Sequence, residues 1–449
     1  MSDFGSRRLH FIAIGGAGMS GLALVCHRMG AAVTGSDRAE SSYFERVRAA
    51  GIAARLGHDA DAVPADADVV VSTAIPDDNP ELSIARERGQ RVIHRGELLA
   101  ELSALKRLIA VAGTHGKTTT AGMLTHALRA IGADPAFVLG GELPGAGAGG
   151  DAANAGWGEG EWIVAEADES DASFLALRPE VATVTNVELD HHSHWGSTAV
   201  LLDAFRRFAE PASGLALLAD PALDSVAGDQ RTLRFGAELL GGDGGAPRPS
   251  GWSPPREPRL AVPGRHNLLN GLAALATVEL AGLDAEAAAE ALETFPGMLR
   301  RLERKGERAG AVVYDDYAHH PTEVAAALEA LRGLGPRRLV AAFQPHLYSR
   351  TKALAERFGA ALAAADEVAV LDVYPAREEP VGELAGVSGL DVARAAADRA
   401  GGRPVWWLPD RDRAREVLAG RVREGDLLVT LGAGDIFLLA DELVEPDER

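Results

Sequence analysis

Twice along this chain a short apolar run breaks into a glycine-rich turn that opens a helical pattern. Leu9–Ile14 leads into Gly16-Ala-Gly18-Met-Ser-Gly21, and Leu108–Ala112 leads into Gly113-Thr114-His115-Gly116-Lys117-Thr118. A strand that runs straight into a helix returns through it to a parallel neighbour, so the chain is committed to parallel sheets covered by helices. Ala32–Thr34, Val69–Ser72 and Arg91–Ile93 read as further strands of the first stretch, and Trp162–Ala165 and Val181–Thr185 as strands of the second. A third alternating series starts near Val312 and continues through Leu339–Phe343, Val368–Val373, Val405–Leu408 and Leu427–Leu431. Three α/β units in series result. Gly140–Gly160 and Gly236–Pro258 read as loops from their glycine and proline content.

Size and charge narrow the function. A chain of 449 residues has room for about two to four domains. Its composition, 47% hydrophobic and 24% charged, is that of a globular protein. Lys and Arg total 45 against 65 Asp and Glu, a net charge of −20 that opposes binding to nucleic acid or to an anionic membrane. Any polyanionic ligand must therefore be met by local donors. The single cysteine, Cys26, excludes an internal disulfide and points to a reducing compartment. Arg7-Arg8 before an apolar run has the outline of a secretion signal, but Gly15, Gly16, Gly18 and Gly21 break that run into strand, turn and helix. No stretch reaches the ~20 apolar residues of a membrane span, and a cytoplasmic location is expected.

The two turns carry different chemistry. In the first, missing side chains let the backbone approach a pyrophosphate at a helix N-terminus, and Asp37 stands where a ribose-binding acid belongs. NAD, FAD and UDP-sugars could all use such a turn. In the second, the backbone from Gly113 through Thr118 and Thr119 would wrap phosphates, Lys117 would reach the terminal ones, and Thr118 would hold Mg²⁺. Val111 stands where the common P-loop has its first glycine, so this loop is shorter. Lysine occurs only four times in the chain, and one of the four falls at the P-loop position.

Two strand ends beyond that turn are acidic. Glu166-Ala-Asp168-Glu169-Ser-Asp171 offers four carboxylates, among which composition does not choose, and Asn186-Val-Glu188-Leu-Asp190-His191-His192 follows the next strand. Oxygen and nitrogen ligands beside a P-loop suit Mg²⁺. Further on, Asn267 and Asn270 lie three apart at the head of an alanine-rich helix, able to face one side, with helix capping the rival role for Asn267. Arg300-Arg301, Tyr314-Asp315-Asp316-Tyr317-Ala-His319-His320-Pro321, Gln344-Pro-His346-Leu-Tyr348-Ser-Arg350 and Tyr374-Pro-Ala-Arg377 come next. The last three follow strands at the end where α/β sheets bind ligands.

Taken in order, IGGAGMSG from Ile14, GTHGKTTT from Gly113, EADESDASF from Glu166, TNVELDHH from Thr185, GRHNLLN from Gly264, DDYAHHPTE from Asp315 and YPAREEP from Tyr374 make the chain resemble the Mur ligases over nearly its whole length. The resemblance implies an α/β fold of three domains. Residues 1–107 would form a Rossmann-like UDP-sugar domain, 108–297 a central P-loop ATPase with a mostly parallel sheet, and 298–449 a Rossmann-like amino-acid domain. It implies a monomer or homodimer using ATP and Mg²⁺ to join L-alanine to the carboxylate of UDP-N-acetylmuramate through an acyl phosphate. By motif matching, Thr118, Glu166 and His191 would bind the metal. Asn267, Asn270 and Arg301 would hold ATP, and Asp316 would position nucleotide or a basic group. His319, His320 and Arg377 would serve the substrate carboxylates and the incoming amine. Gly15, Gly16, Gly18, Ser20, Asp37, Ser72, Thr73, His94 and Arg95 would line the UDP-sugar site. Related ligases use a carbamylated lysine as a metal bridge; no lysine lies between Lys117 and Lys305, so that device is absent. Ala318 and Leu347 stand where glycine and arginine are common. A sister ligase attaching a recycled tripeptide to the same UDP-sugar is the alternative within the family. A nicotinamide dehydrogenase would explain the first turn and Asp37 but leaves GTHGKTTT without a use.

Overall fold

The computed structural model describes residues 4–147, 153–189, 195–240 and 252–444. The chain forms two compact units, Met1–Ala261 with Leu268–Pro296, and Val262–Asn267 with Gly297–Arg449.

The first unit holds two sheets. One is built from β1 (Arg8–Ile12), β2 (Ala32–Asp37), β3 (Ala53–Leu56), β4 (Asp68–Val71) and β5 (Val92–His94), all parallel in the order β3-β2-β1-β4-β5. Alternation along β1 sends Leu9 and Phe11 to one face, with Leu22 and Ala23 of helix Ala17–Arg28, and Ile12 to the other, with Leu82 and Ala85 of helix Pro80–Glu87. Strand order reverses between β1 and β4, and the first glycine turn lies at that switch point, where such sheets bind ligands.

The other sheet contains β6 (Arg107–Ala112), β7 (Ala136–Leu143), β8 (Ala153–Gly156), β9 (Trp162–Glu166), β10 (Val181–Val184), β11 (Gly214–Leu218) and β12 (Arg231–Phe235), ordered β12-β11-β10-β6-β9-β7-β8. Only β8 runs antiparallel. Leu108 to Ala112 is apolar at every position because β6 is central and buried on both faces. Gly140–Gly160, expected as loop, instead contributes the end of β7 and all of β8. Glycines weaken a strand in isolation; here Gly156 of β8 pairs with Phe137 of β7, and the Gly140 amide is held by the Glu166 carboxylate. Of Gly236–Pro258, residues 241–251 lie outside the described residues; the flanks hold one short 3₁₀ turn, Ala237–Leu239, and no strand.

The second unit holds β13 (Glu303–Arg308), β14 (Ala311–Asp316), β15 (Arg338–Phe343), β16 (Glu367–Val370), β17 (Val405–Trp407) and β18 (Asp426–Leu431), in the order β13-β14-β18-β15-β16-β17 with only β13 antiparallel. Leu339, Ala341 and Phe343 face one core, and Val340 and Ala342 the other. Among the described residues no helix is long and apolar enough to cross a membrane.

Candidate active site

Between β6 and helix Lys117–Ala130 the backbone turns through Gly113 (φ 133°) and Gly116 (φ 82°, the helix N-cap), a left-handed region that glycine enters freely. Space also forbids a side chain. A Cβ would come within 2.1 Å of Thr185 Oγ1 at Gly113 and within 2.5 Å of Asn270 Oδ1 at Gly116. The segment after β10 fastens the turn: Thr114 N and His115 N donate to Asn186 O (3.1 Å) and Oδ1 (2.9 Å). Thr185 Oγ1 and Asn186 Nδ2 donate in return to His115 O (2.6 and 2.8 Å). The outcome is a fixed turn at the positive end of a helix, an arrangement that binds anions.

Lys117 Nζ donates to Gly113 O (2.5 Å) and to Glu169 Oε2 (2.7 Å). Burial opposes its charge, but Glu169, Asp168 and Glu166 outweigh burial and hold the ammonium above its ordinary value. Lys117 is therefore a permanent cation in the turn. Thr118 Oγ1 lies 3.0 and 2.9 Å from the two carboxylate oxygens of Glu166, and Gly140 N donates to Glu166 Oε2 (2.8 Å). A Cβ at Gly140 would sit 2.5 Å from that oxygen, which is why this strand position is glycine.

The four acids left undivided by composition separate by partner. Asp168 and Asp171 take Arg95 NH2 at 2.8 and 3.1 Å. Burial pushes the Asp168 carboxyl up, yet Lys117 and Arg95 outweigh it and hold the group well below the usual carboxylate range. Glu169 takes Lys117, while burial pushes its own carboxyl up. Glu166 meets a hydroxyl and an amide instead of a cation. A hydroxyl and the carboxylate bonded to it beside the turn are the hard oxygen donors that a divalent cation such as Mg²⁺ takes, so the residues present fit that ion. His191, expected beside them, lies outside the described residues.

At the first turn Gly15 N donates to Asp37 Oδ2 (2.8 Å), and Ser41 Oγ donates to Gly15 O (3.0 Å). Gly16 is the N-cap of the following helix, and a Cβ at Gly18 would lie 3.1 Å from the Arg95 guanidinium. The structure thus gathers Gly15, Gly16, Gly18, Asp37 and Arg95. Ser72 and Thr73 follow β4, with Thr73 exposed. Ser20 is turned the other way: it is buried, donates to Ala17 O (3.0 Å) and accepts from Asn154 Nδ2 (3.1 Å) of β8. His94 caps helix Arg95–Ser103, Nδ1 accepting from Gly96 N (3.2 Å), and burial holds its pKa below the ordinary value.

In the second unit the ends of β14 and β15 assemble a second group. Asp316 accepts from Leu302 N (2.7 Å) and Ala318 N (2.8 Å), and burial pushes its carboxyl up to about 6. It pins the Arg301–Leu302 bend to the DDYAHHP segment rather than presenting a free carboxylate. His319 Nδ1 lies 3.1 Å from Tyr317 O and 3.3 Å from Glu323, and its ring meets His346 edge-on at 6.2 Å. His346 in turn stacks on Tyr374 at 5.8 Å. Burial drives both imidazoles down to about 4, with the Arg350 charge adding to it, so both are neutral at physiological pH. Arg301 lies over the Tyr317 ring at 5.1 Å, and Arg377 is exposed after β16, near enough to His346 to depress its pKa further. His320, expected at the chemistry, is the N-cap of helix Pro321–Arg332, Nδ1 accepting from Thr322 N (3.4 Å). Asn267 Nδ2 donates to Pro263 O (2.7 Å), a local bond just inside its helix start.

Sequence reasoning passed over Glu169 as the partner of Lys117, Asn186 as the brace of the turn, and His346 as the neighbour of His319. Asn186 had a signal in its place immediately after a buried strand. Glu169 had none that separated it from Glu166.

Residues 8–107 match the profile described as Mur ligase family, catalytic domain; 111–222 match the Mur ligase middle domain, and 300–434 the Mur ligase, glutamate ligase domain. The UDP-N-acetylmuramate–L-alanine ligase of Kineococcus radiotolerans is 47% identical over 461 residues, covering 97% of this chain and 95% of that one. Among solved structures, a UDP-N-acetylmuramate–alanine ligase from Thermotoga maritima superposes with a TM-score of 0.82 at 28% identity, covering 97% of this chain and 98% of that one. A murein peptide ligase from Psychrobacter arcticus reaches 0.71 at 24% identity over 98% of both chains, a likeness of fold. Profiles, sequence and fold agree along nearly the full length, on a three-domain α/β architecture whose glycine turns head the first two sheets. The chain belongs to the Mur ligase family.

Proposed function

We propose that this chain is an ATP-dependent ligase that joins L-alanine to the carboxylate of UDP-N-acetylmuramate, the first peptide step of peptidoglycan precursor synthesis, in the cytoplasm. The observation that carries the reading is the second turn, where a half-buried charged lysine, a threonine hydroxyl and the glutamate bonded to that hydroxyl meet at one helix N-terminus. The 47% identity to an L-alanine ligase supports the substrate pair. Domains divide at 107/108 and 297/298; the second division is supported by the compact unit that resumes at Gly297.

In the proposed reaction the muramate carboxylate attacks the γ-phosphorus of ATP, forming an acyl phosphate and ADP. The amine of L-alanine then attacks the acyl carbon, and the tetrahedral adduct expels phosphate. A carboxylate and a triphosphate repel one another, and a chain of net charge −20 does nothing to relieve this. Lys117 and the amides of Gly113, Gly116, Thr118 and Thr119 hold the terminal oxygens in line for attack, while Thr114 and His115 give their amides to the Asn186 brace that fixes the turn. Lys117 exchanges the Glu169 carboxylate for a phosphate oxygen, one ion pair for another. Thr118, Glu166 and His191 would hold Mg²⁺, which when bound shields the phosphate oxygens from the incoming carboxylate. Asn267, Asn270 and Arg301 complete the proposed ATP ligands. Gly15, Gly16, Gly18, Asp37, Ser72, Thr73, His94 and Arg95 take the UDP-sugar, with Ser20 supporting the turn from within. His319 and Arg377 serve the amino acid, with Asp316 and His320 holding the segment that carries His319.

The test is phosphate release measured with L-alanine, glycine, L-serine and the murein tripeptide in parallel. Release should require ATP, Mg²⁺ and UDP-N-acetylmuramate together and be fastest with L-alanine. Turnover with the tripeptide alone would overturn the assignment.

A further inference from the structure

Beneath the first turn the sheet hides a carboxylate that the chemistry above does not use. Glu81 is fully buried at the start of helix Pro80–Glu87. Its Oε2 accepts from Ser36 Oγ (2.5 Å) and faces His10 Nε2 and His58 Nδ1 at 3.5 Å each. Its Oε1 accepts from Asp59 N (3.1 Å). Ser36 Oγ is also 2.8 Å from His58 Nδ1, and His10 Nδ1 is 2.8 Å from Thr34 Oγ1. Burial pushes the Glu81 carboxyl up, but the bonds from His10, Ser36 and Asp59 outweigh it and keep the group below its ordinary value.

Packing alone does not call for such a group. The same face of the sheet is filled by Ile12, Val69, Leu82 and Ala85, and an apolar side chain would bury there at lower cost. What a carboxylate adds is reach to several segments at once. Ser36 immediately precedes Asp37, which holds the Gly15 amide of the first turn. His58 and Asp59 belong to the bend after β3. Glu81 itself ends the segment after β4 that carries Ser72 and Thr73, where Asn79 Oδ1 caps its amide (3.0 Å). One buried side chain therefore ties together the connections after β2, β3 and β4 at the ligand-binding end of the sheet.

We propose that Glu81 is a positioning residue for the nucleotide-sugar pocket, fixing the Ser36–Asp37 strand end and the connections after β3 and β4 in the geometry that receives a uridine diphosphate. This rests on the reading of the first domain as the UDP-sugar domain. A positioning group acts through geometry, and small displacements of ligand-holding atoms are costly in affinity.

Glu81→Gln keeps the shape and removes the charge. UDP binding by calorimetry should weaken about tenfold, and KM for UDP-N-acetylmuramate should rise by a similar factor, while KM for ATP stays within about twofold. Ser36→Ala should give the same split, and the double variant should lose no more than the worse single one because both act through one network. Unchanged UDP affinity in Glu81→Gln, or equal losses for UDP-sugar and ATP, would overturn the proposal. If Glu81→Gln does not fold, Ser36→Ala decides by the same criteria. A wild-type protein that binds no UDP would sink the reading of the first domain and this proposal with it; wild-type binding with an unaffected variant sinks the proposal alone.

Discussion

The first and second glycine turns of this protein share a backbone device and differ in the charges set around it. Each follows a buried strand, and each has a glycine as the N-cap of the helix it opens, Gly16 in one and Gly116 in the other. Around the first, the nearest carboxylate, Asp37, is spent on the turn's own amide, and the nearby cation Arg95 is already paired with Asp168 and Asp171. In the second, the cation is part of the turn itself, and the acids facing it differ in what they hold. Glycine placement shapes a site for an anion; the side chains decide whether that anion is only held or also made to react.

The largest test of this contrast is Lys117→Ala. Turnover should fall by roughly a thousandfold or more, because the one cation inside the turn is lost, while calorimetric UDP affinity stays at the wild-type value. Parallel loss of both would mean that the turns are not chemically separate. Glu166→Gln comes next: turnover at a fixed Mg²⁺ concentration should drop about a hundredfold and recover in part as Mg²⁺ is raised. A variant indifferent to Mg²⁺ would show that another acid is the ligand.

Acidification should weaken the second compact unit before the first. His319 and His346 are held at about 4 in the folded second unit, below the usual 6.5 of an unfolded imidazole. The unfolded chain therefore takes up protons that the folded one refuses, so their contribution is whole above pH 6.5 and is lost as pH falls toward 4. The loss should be about 2 kcal/mol per imidazole after allowance for partial exposure, offset in part by Asp316, whose raised carboxyl takes up its proton over the same range, and His346→Gln should flatten the slope of the thermal midpoint with pH. Asp168, held far below the usual range by Lys117 and Arg95, keeps its contribution to the first unit until much lower pH. The smallest effect belongs to Asp37→Asn, which should raise KM for the UDP-sugar about tenfold by loosening the Gly15 amide and leave KM for ATP alone.

Much of this was legible in the residues. Continuous apolar runs such as Leu108–Ala112 announce central parallel strands, and both glycine turns declare their position between strand and helix. Strands at a sheet edge or next to one were harder to see. β13 reads Glu-Arg-Lys-Gly-Glu-Arg because an antiparallel edge can face water, and β7 carries Gly140 because Glu166 approaches there, so neither shows the pattern of a buried strand. At the site, motif order located the acids, but the division among Glu166, Asp168, Glu169 and Asp171 depends on which of Thr118, Lys117 and Arg95 folds beside each. His320 illustrates the converse, a chemically capable side chain that the helix start uses as a cap.

The most direct test of the central claim is a crystal structure with a non-hydrolysable ATP analogue and Mg²⁺. The terminal phosphates should lie against the turn at the amides of Gly116 and Thr118 with Lys117 on an outer oxygen in place of Glu169, and the ion should touch Thr118 and Glu166. An analogue bound elsewhere, with Lys117 still on Glu169, would contradict the account.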